Sequence, residues 1–359
     1  MRSILAKRKI IITSGTGGVG KTTLSASMGI RAALEGRRVC VITIDPAKRL
    51  ATSLGVESLG DQPTDLTDKL RSALSEQGIQ LPEGASFSAL MPDTRSTFEA
   101  FLKGLTENPA TADRLFQNPL FQIFAREFSG ANEYMAIQKL QSIHESGRYD
   151  CIILDTPPSR STMEFLDAPK LLNQLFEANY IQWLIVPANK LASSAMKKVL
   201  GLLEKLMGAN FMSYLMEFVT ILFEVRIGFS DHLRRMIRLM ESEEVGVILV
   251  TGAHCDFSEE LAHFRGHLEK HGLKLDGMVV NRTIGAYRDE GPEVPPAEET
   301  EFRSAVDLLR NLKGREERGL QNLKKTVAGD SISPRLMPEL ARDVHDLKDL
   351  VHIARRLES

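Results

Sequence analysis

The feature that most constrains this chain is a glycine-rich stretch near its N-terminus, Gly15-Thr16-Gly17-Gly18-Val19-Gly20-Lys21-Thr22. It fits the pattern GxxxxGK[ST], which arises by chance in roughly one chain of this length in a hundred. Glycines let successive backbone N–H groups curl around phosphate oxygens, and a helix that starts there adds a favourable dipole. A glycine-rich turn without nucleotide is the alternative. We predict a nucleotide site in which Lys21 reaches the β- and γ-phosphates and Thr22 ligands Mg²⁺.

The residues around this motif predict a βαβ unit, in which a β-branched run, Ile10–Ile12, precedes a helix, Thr22–Glu35, and a second strand, Arg38–Thr43. Gly36 suits the C-cap of the helix. Further apolar runs predict buried parallel strands at Cys151–Leu154, Val245–Val250 and Gly277–Val280, with a helix at Ser258–Lys270 between the last two. Strands that alternate with helices imply an α/β fold with a mostly parallel sheet covered by helices on both faces.

One stretch differs from the rest of the chain. From about Pro169 to Glu241 the sequence is rich in leucine and methionine, has apolar residues at helical spacing and contains no convincing strand. We therefore predict a helical subdomain at residues 169–241, inserted into a P-loop domain formed by residues 1–168 and 242–359. Residues 286–299 are rich in proline and acidic residues and predict a loop.

Composition excludes several classes of protein. With 43% hydrophobic and 26% charged residues and a formal net charge of -2, the chain has no global field that would attract nucleic acid. Its three cysteines, Cys40, Cys151 and Cys255, are too few and too widely spaced for a disulfide framework. No apolar stretch reaches the 18 or more residues of a membrane-spanning helix, and the N-terminus lacks the apolar region of a signal peptide. A cytoplasmic protein is expected.

Two carboxylates and one amide follow predicted strands. Asp45 comes just after the second strand, where it could orient or deprotonate the attacking water or hold Mg²⁺ through a water; a turn or N-cap role is the alternative. Asp155 ends the apolar run Cys151–Leu154, as a Walker B carboxylate does, and could face the metal directly or through a water. The Asn281 amide could read the adenine edge by paired donor and acceptor, although such a residue often serves only in a turn.

The predicted catalytic residues are thus Asp45 and Lys21, and the predicted metal ligands are Thr22 and Asp155. The predicted nucleotide-binding residues are Gly15, Thr16, Gly17, Gly18, Val19, Gly20, Lys21, Thr22, Thr23 and Asn281. ATP and Mg²⁺ are the expected substrate and cofactor.

Several segments together resemble the arsenite-pump (ArsA) ATPase family of deviant P-loop ATPases, which also contains the targeting ATPases for tail-anchored membrane proteins. They are GTGGVGKTT, VITIDPAKRLATSLG, GANEYMAIQKL, YDCIILDTPPSRSTMEFLDAP and MVVNRT. The similarity is greatest to bacterial members called anion-transporting ATPases. The resemblance implies a dimer with ATP sites at its interface that closes on ATP. It also implies that Asp45 activates water in the first switch, that Asp155 belongs to the second switch and that Asn281 contacts adenine.

The chain departs from that family in three ways. Family members usually carry a second lysine at the position of Thr16, which crosses the dimer interface to the partner's nucleotide. No CxxC pair matches the zinc site of the targeting ATPases, and the cysteines do not match an arsenite-binding arrangement. Arsenite transport is therefore not supported by the sequence, and the lost lysine leaves open a homodimer or a heterodimer with a lysine-bearing paralogue.

Three functions remain open. The first is an ATP-driven dimeric switch that handles a hydrophobic protein client or membrane partner, for which the methionine-rich stretch from Met207 to Met240 could expose an apolar surface. The second is the catalytic subunit of an anion (arsenite-type) efflux pump. The third is a partition-type ATPase that binds a membrane through its C-terminal helix, but acidic residues on that helix favour core packing of its apolar stripe.

Overall fold

A computed structural model describes residues 1–44, 49–105, 109–127, 131–156, 167, 210–252, 258–284, 300–327, 332–340 and 343–357. The chain divides into two compact units. The first consists of Met1–Met91, Ser142–Met163 and Met240–Ser359, and the second consists of Pro92–Gln141 and Glu164–Leu239. Among the described residues, no helix combines the length and the apolarity that a bilayer crossing requires.

The first unit is built on an eight-stranded sheet in the order β3-β4-β2-β5-β1-β6-β7-β8. The strands are β1 (Ile10–Gly15), β2 (Arg38–Thr43), β3 (Thr64–Asp65), β4 (Ser86–Leu90), β5 (Cys151–Asp155), β6 (Val245–Gly252), β7 (Leu275–Thr283) and β8 (Arg335–Pro338). All neighbouring strands are parallel except the short β3, which runs antiparallel to β4.

The described helices follow the same chain order. They are α1 (Arg2–Lys7), α2 (Lys21–Leu34), α3 (Arg49–Ser53), α4 (Thr67–Ser75), α5 (Thr94–Leu105), α6 (Pro109–Gln117), α7 (Pro119–Glu127), α8 (Ala131–Glu145), α9 (Phe211–Met240), α10 (Ser258–Lys270), α11 (Thr300–Thr326) and α12 (Leu347–Arg356). A mostly parallel sheet flanked by helices, with a glycine-rich turn between β1 and α2, is the P-loop NTPase α/β fold predicted from the sequence. That prediction is confirmed.

The core explains why these segments form strands. Every residue of β1 and β5 is buried, as expected for central parallel strands covered on both faces. The C-terminal helix α12 covers α2 and α4 with its apolar face, on which Leu350, Val351 and Ala354 are fully buried. This stripe therefore packs in the core, and the alternative of a membrane-binding C-terminal helix is wrong.

Several elements of the first unit were not predicted, among them the helices α3, α4 and α11. The N-terminal residues form the helix α1 before β1 begins, and β3, β4 and β8 complete the sheet edges. The edge strand β8 has four residues and ends in Pro338, a composition that gives little strand signal. Central strands are easier to find because burial on both faces demands a continuous apolar run.

The described residues of the second unit form helices and the short connections beside them, and aromatic rings form part of its core. The ring of Phe101 lies 5.8 Å from Tyr134 and 5.3 Å from Phe229, centroid to centroid. The buried Asn118 amide donates to the Tyr214 carbonyl at 2.9 Å and accepts from the Leu120 backbone N–H at 3.0 Å, which ties α7 to α9. These contacts hold the long helix α9 within its unit.

Helix α9 lies in the methionine-rich stretch and has both buried and exposed apolar residues. Phe211 and Met236 are buried, whereas Met216, Phe223 and Ile227 are exposed, Ile227 to 64%. The predicted subdomain bounds of 169–241 stay a prediction, because residues 168–209 lie outside the described residues. The predicted loop at 286–299 also lies outside them.

Candidate functional site

The predicted site residues meet at the carboxyl edge of the sheet. The glycine-rich loop follows β1, Asp155 ends β5, and Asn281 lies near the end of β7. A cavity of about 750 Å³ opens at this edge, and its wall includes Gly18, Lys21 and Asn281. Ligands of open α/β sheets bind at this edge.

The loop presents backbone donors to the cavity. Helix α2 begins at Lys21, and its N-cap residue is Gly20, which has a left-handed backbone (φ 88°) and no side chain that could cap the helix. Gly20, Lys21, Thr22 and Thr23 all line the cavity. Since the first N–H groups of a helix have no partner within the helix, the first turn of α2 can donate to an anion here.

Two glycines of the motif are required for different reasons. A Cβ on Gly15 would lie 1.9 Å from the backbone carbonyl oxygen of Val250 in β6, where no side chain fits. Gly20 lies close to the Asn281 amide and has a left-handed backbone (φ 88°), which favours glycine.

Lys21 is largely buried, and its ammonium group lies over the loop that it follows. Its Nζ donates to the Thr16 carbonyl at 2.8 Å. Thr16 thus meets Lys21 through its backbone. A phosphate in the loop would offer Lys21 a charged acceptor in place of a neutral one, and charge-assisted hydrogen bonds are roughly twice as strong.

The two predicted metal ligands are in direct contact. Thr22 Oγ1 donates to Asp155 Oδ2 at 2.7 Å. Because the hydroxyl hydrogen points to the carboxylate, the lone pairs of Oγ1 can face a cation. Two hard oxygen donors beside a phosphate-binding loop suit Mg²⁺, which takes one or two protein oxygens and completes its shell with phosphate and water.

Two hydroxyl groups that the sequence analysis did not select also hold Asp155. Thr43 Oγ1 donates to Oδ2 at 2.9 Å, and Ser25 Oγ donates to Oδ1 at 3.2 Å. Ser25 lies one helical turn after Lys21, and Thr43 pairs with Asp155 in the β2–β5 register. The helical spacing could have indicated Ser25, whereas Thr43 requires the register.

Burial governs the electrostatics of this carboxylate. Asp155 is 1% exposed, and burial raises the pKa of its carboxyl group above the usual value. The hydroxyl donors and the positive charge of Lys21 act in the opposite direction. A cation at Thr22 and Asp155 would therefore neutralise a charge that the fold holds away from water.

Asn281 bridges its strand to the loop. Its Nδ2 donates to the Val19 carbonyl at 2.8 Å, which leaves its second N–H and its Oδ1 for another partner. The next residue, Arg282, has a left-handed backbone (φ 59°) that non-glycine residues adopt uncommonly. Both residues line the cavity together with Met337 and Pro338 of β8.

Asp45, the predicted water-activating residue, lies outside the described residues. On either side of it, Ile44 and Arg49 line the cavity. Thr156, which follows Asp155, lines it as well and donates from Oγ1 to the Thr13 carbonyl at 2.6 Å. The described residues that directly follow β2 and β5 thus line the cavity.

Residues 8–299 match the family model described as anion-transporting ATPase. The match covers more than half of the chain and includes every predicted site residue. The chain belongs to the anion-transporting ATPase family. The resemblance inferred from the sequence motifs is thereby confirmed.

Curated relatives of this ATPase family member are distant. The protein named "Putative arsenical pump-driving ATPase" of Prosthecochloris vibrioformis is 23% identical over 286 residues, which are 79% of this chain and 63% of that protein. "ATPase GET3" of Chaetomium globosum is 29% identical over 176 residues, 48% of this chain and 47% of that protein. "ATPase ARSA1" of Chlamydomonas reinhardtii is 30% identical over 175 residues, 47% of this chain and 22% of that protein. The chain therefore spans less than two thirds of the length of these relatives.

The described cysteines of this family member are structural. Cys40 and Cys151 are buried in β2 and β5. Val39 is the register partner of Cys151, hence the side chain of Cys40 points to the opposite face of the sheet. Burial raises the pKa of Cys151 to about 11, which disfavours the thiolate that binds soft ions.

Proposed function

We propose that this protein is a Mg²⁺-dependent ATPase that converts ATP and water to ADP and phosphate in the cavity at the carboxyl edge of its sheet. The observation that carries the proposal is the 2.7 Å contact between Thr22 Oγ1 and Asp155 at the mouth of the glycine-rich loop. This contact joins the glycine-rich loop to a buried carboxylate. The Thr22 hydroxyl donates its hydrogen to Asp155, so the lone pairs of its oxygen can face a cation.

Each residue has a distinct task in this proposal. The loop N–H groups and Lys21 hold the β- and γ-phosphates, while Thr22 and Asp155 would hold Mg²⁺, Asp155 directly or through a water. When bound, the cation would neutralise phosphate charge. Asp45 orients or deprotonates the attacking water. Asn281 receives the adenine edge on the far side of the loop.

We further propose a dimeric switch, either a homodimer or a heterodimer with a paralogue, that couples ATP binding to a hydrophobic protein client or membrane partner in the cytoplasm. Support for a client comes from the exposed apolar side chains of α9, among them Met216, Phe223 and Ile227. Flexible thioethers and aromatic rings suit binding of varied apolar segments.

An anion efflux pump is the second candidate. It is favoured by the family description and by the name of the Prosthecochloris relative. The buried positions of Cys40 and Cys151 argue against arsenite as the transported anion.

Phosphate release by the purified protein tests the proposal. Asp45→Asn keeps the size of the side chain but removes the base, and we expect it to bind ATP within about threefold of the parent while losing most of its turnover, since such groups contribute roughly 10²–10⁴-fold. Lys21→Ala should lose binding as well. Unchanged turnover in Asp45→Asn would remove Asp45 from the mechanism.

A photo-crosslinking amino acid at Ile227 tests the client proposal. A hydrophobic transmembrane peptide should crosslink at Ile227 in at least one nucleotide state. The same probe at Arg71, an exposed residue of α4, should not crosslink. Equal labelling at both positions in the ATP, ADP and nucleotide-free states would defeat the client proposal and leave the ATPase proposal intact.

A further inference from the structure

The cavity at the sheet edge continues past the glycine-rich loop on both sides. Because β1 lies between β5 and β6 in the sheet, the loop has the ends of β5 and β2 on one side and the ends of β6, β7 and β8 on the other. Asn281 and Met337 line the β7–β8 side, whereas Ile44, Arg49 and Thr156 line the β2–β5 side.

A nucleotide bound to this loop has a defined direction. If its base lies towards Asn281, its phosphates run across the loop towards the β2–β5 side, and the γ-phosphate is the part furthest from Asn281. The buried carboxylate of Asp155 at the end of β5 places the cation on that same side. The wall formed by the ends of β2 and β5 is therefore the wall that the γ-phosphate meets.

Arg49 is the first residue of α3 and belongs to this wall. The two residues that follow it, Leu50 and Ala51, are buried in the core, and Ser53 Oγ donates to the Arg49 carbonyl at 2.9 Å. The backbone of Arg49 is thereby fixed, while its side chain is exposed and lines the cavity.

Several cations line the described cavity wall. Arg282 lies in β7, His345 and Arg356 lie close to the two ends of α12, and Lys21 lies on the loop itself, where its Nζ contacts the Thr16 carbonyl. Among the described cavity-lining residues that follow β2 or β5 before the next strand, Arg49 is the cation.

We propose that Arg49 is a catalytic residue that donates hydrogen bonds to the γ-phosphate oxygens in the transition state of ATP hydrolysis, from the same chain that binds the nucleotide. This inference rests on the proposed ATPase function and assigns a residue to the same cavity. An arginine suits the task because its planar guanidinium presents several donors in a fork that matches two phosphate oxygens.

The hydrolysis reaction explains why a positive charge is needed near the γ-phosphate. The oxygen of a water molecule forms a bond to the γ-phosphorus, while the bond from that phosphorus to the bridging oxygen breaks and its electron pair goes to ADP. The water loses one proton to a base or to solvent. Negative charge on the transferred group is spread over its three equatorial oxygens, where an arginine placed in cis or in trans stabilises it. Thr16 has no charge to offer to a neighbouring site, which leaves this task to a residue such as Arg49.

Binding of a transition-state analogue separates this role from ordinary phosphate binding. The parent, Arg49→Ala and Arg49→Lys are compared by phosphate release and by calorimetric titration with MgADP alone and with MgADP plus aluminium fluoride. Arg71→Ala removes the same charge from the exposed surface of α4 and is the matched control.

We expect Arg49→Ala to lower kcat roughly 100-fold or more, as the loss of one donor to a transition state does. Its affinity for the aluminium fluoride complex should fall at least about 30-fold, while its affinity for MgADP changes less than about threefold. Arg49→Lys should recover part of both losses because it keeps the charge without the fork. Arg71→Ala should match the parent.

Equal losses of MgADP and analogue affinity, or a kcat within threefold of the parent, would overturn the role of Arg49 while leaving the ATPase proposal standing. A parent that neither binds MgATP nor releases phosphate would overturn the proposed function and this inference together.

Discussion

Replacing Gly15 by alanine tests how the fold positions the glycine-rich loop. The added Cβ would lie 1.9 Å from the Val250 carbonyl oxygen, and real Cβ contacts are essentially never shorter than 3.0 Å. Gly15 and Val250 are register partners at the carboxyl ends of β1 and β6. Because the Cβ is attached directly to one strand and the oxygen belongs to the backbone of the other, neither can turn aside, and the strands must separate by about an ångström at this edge.

We expect this separation to cost about 2–4 kcal/mol of the free energy of unfolding. Overpacking of a core costs roughly 1–3 kcal/mol, and weakening one backbone hydrogen bond at the strand end adds roughly 1 kcal/mol. The loop would move with the end of β1, and nucleotide affinity should fall with stability.

Denaturant unfolding monitored by circular dichroism measures the first effect, and titration with MgADP measures the second. Gly252→Ala is the matched control, because the glycine ends β6 and a Cβ there meets nothing within 4 Å. A loss of less than about 1 kcal/mol in Gly15→Ala, with affinity retained, would refute the argument that close approach to β6 requires this glycine.

Three further predictions follow from the site. Thr16→Lys should accelerate ATP hydrolysis and ATP-dependent association, since a full positive charge near the partner's phosphates stabilises the transition state. If the variant and the parent have equal turnover and an equal dimer fraction by light scattering, position 16 does not face the partner's nucleotide. Thr43→Val, which removes the 2.9 Å hydrogen bond to Asp155, should cost about 1.5–3 kcal/mol in denaturant unfolding, whereas Thr43→Ser should stay within about 1 kcal/mol. With a pKa of about 11, the thiol of Cys151 should be only about 10⁻³ ionised at pH 8, so it should resist iodoacetamide until the protein is unfolded. Its labelling, measured by mass spectrometry, should rise with pH. Rapid labelling of the native protein at pH 8 would contradict the burial of Cys151.

Continuous apolar runs made the central sheet predictable from sequence. The bounds predicted for β2 agree with the structure, Arg38–Thr43, as do those predicted for α10, Ser258–Lys270. The helix α2 was predicted to begin one residue late. These segments are defined by local periodicity and by glycine, which sequence reveals directly.

Contacts between distant segments were not predictable in the same way. The bond from Thr43 to Asp155 joins residues 112 positions apart and depends on the β2–β5 register. The grouping of Pro92–Gln141 with Glu164–Leu239 in one compact unit likewise depends on packing between separate stretches of chain. The proposed role of Arg49 likewise depends on the folded structure, in which Arg49 and the glycine-rich loop line the same cavity.

Calorimetric titration of ATP with and without Mg²⁺, in the parent and in Thr22→Val, tests most directly the central claim that Thr22 and Asp155 form the cation site of a nucleotide-binding cavity. The parent should bind ATP at least about tenfold more tightly with Mg²⁺. In Thr22→Val, which keeps the shape of the side chain but removes the oxygen, that advantage should disappear while metal-free binding stays within about threefold. An equal Mg²⁺ advantage in both proteins, or no ATP binding by the parent, would contradict the claim.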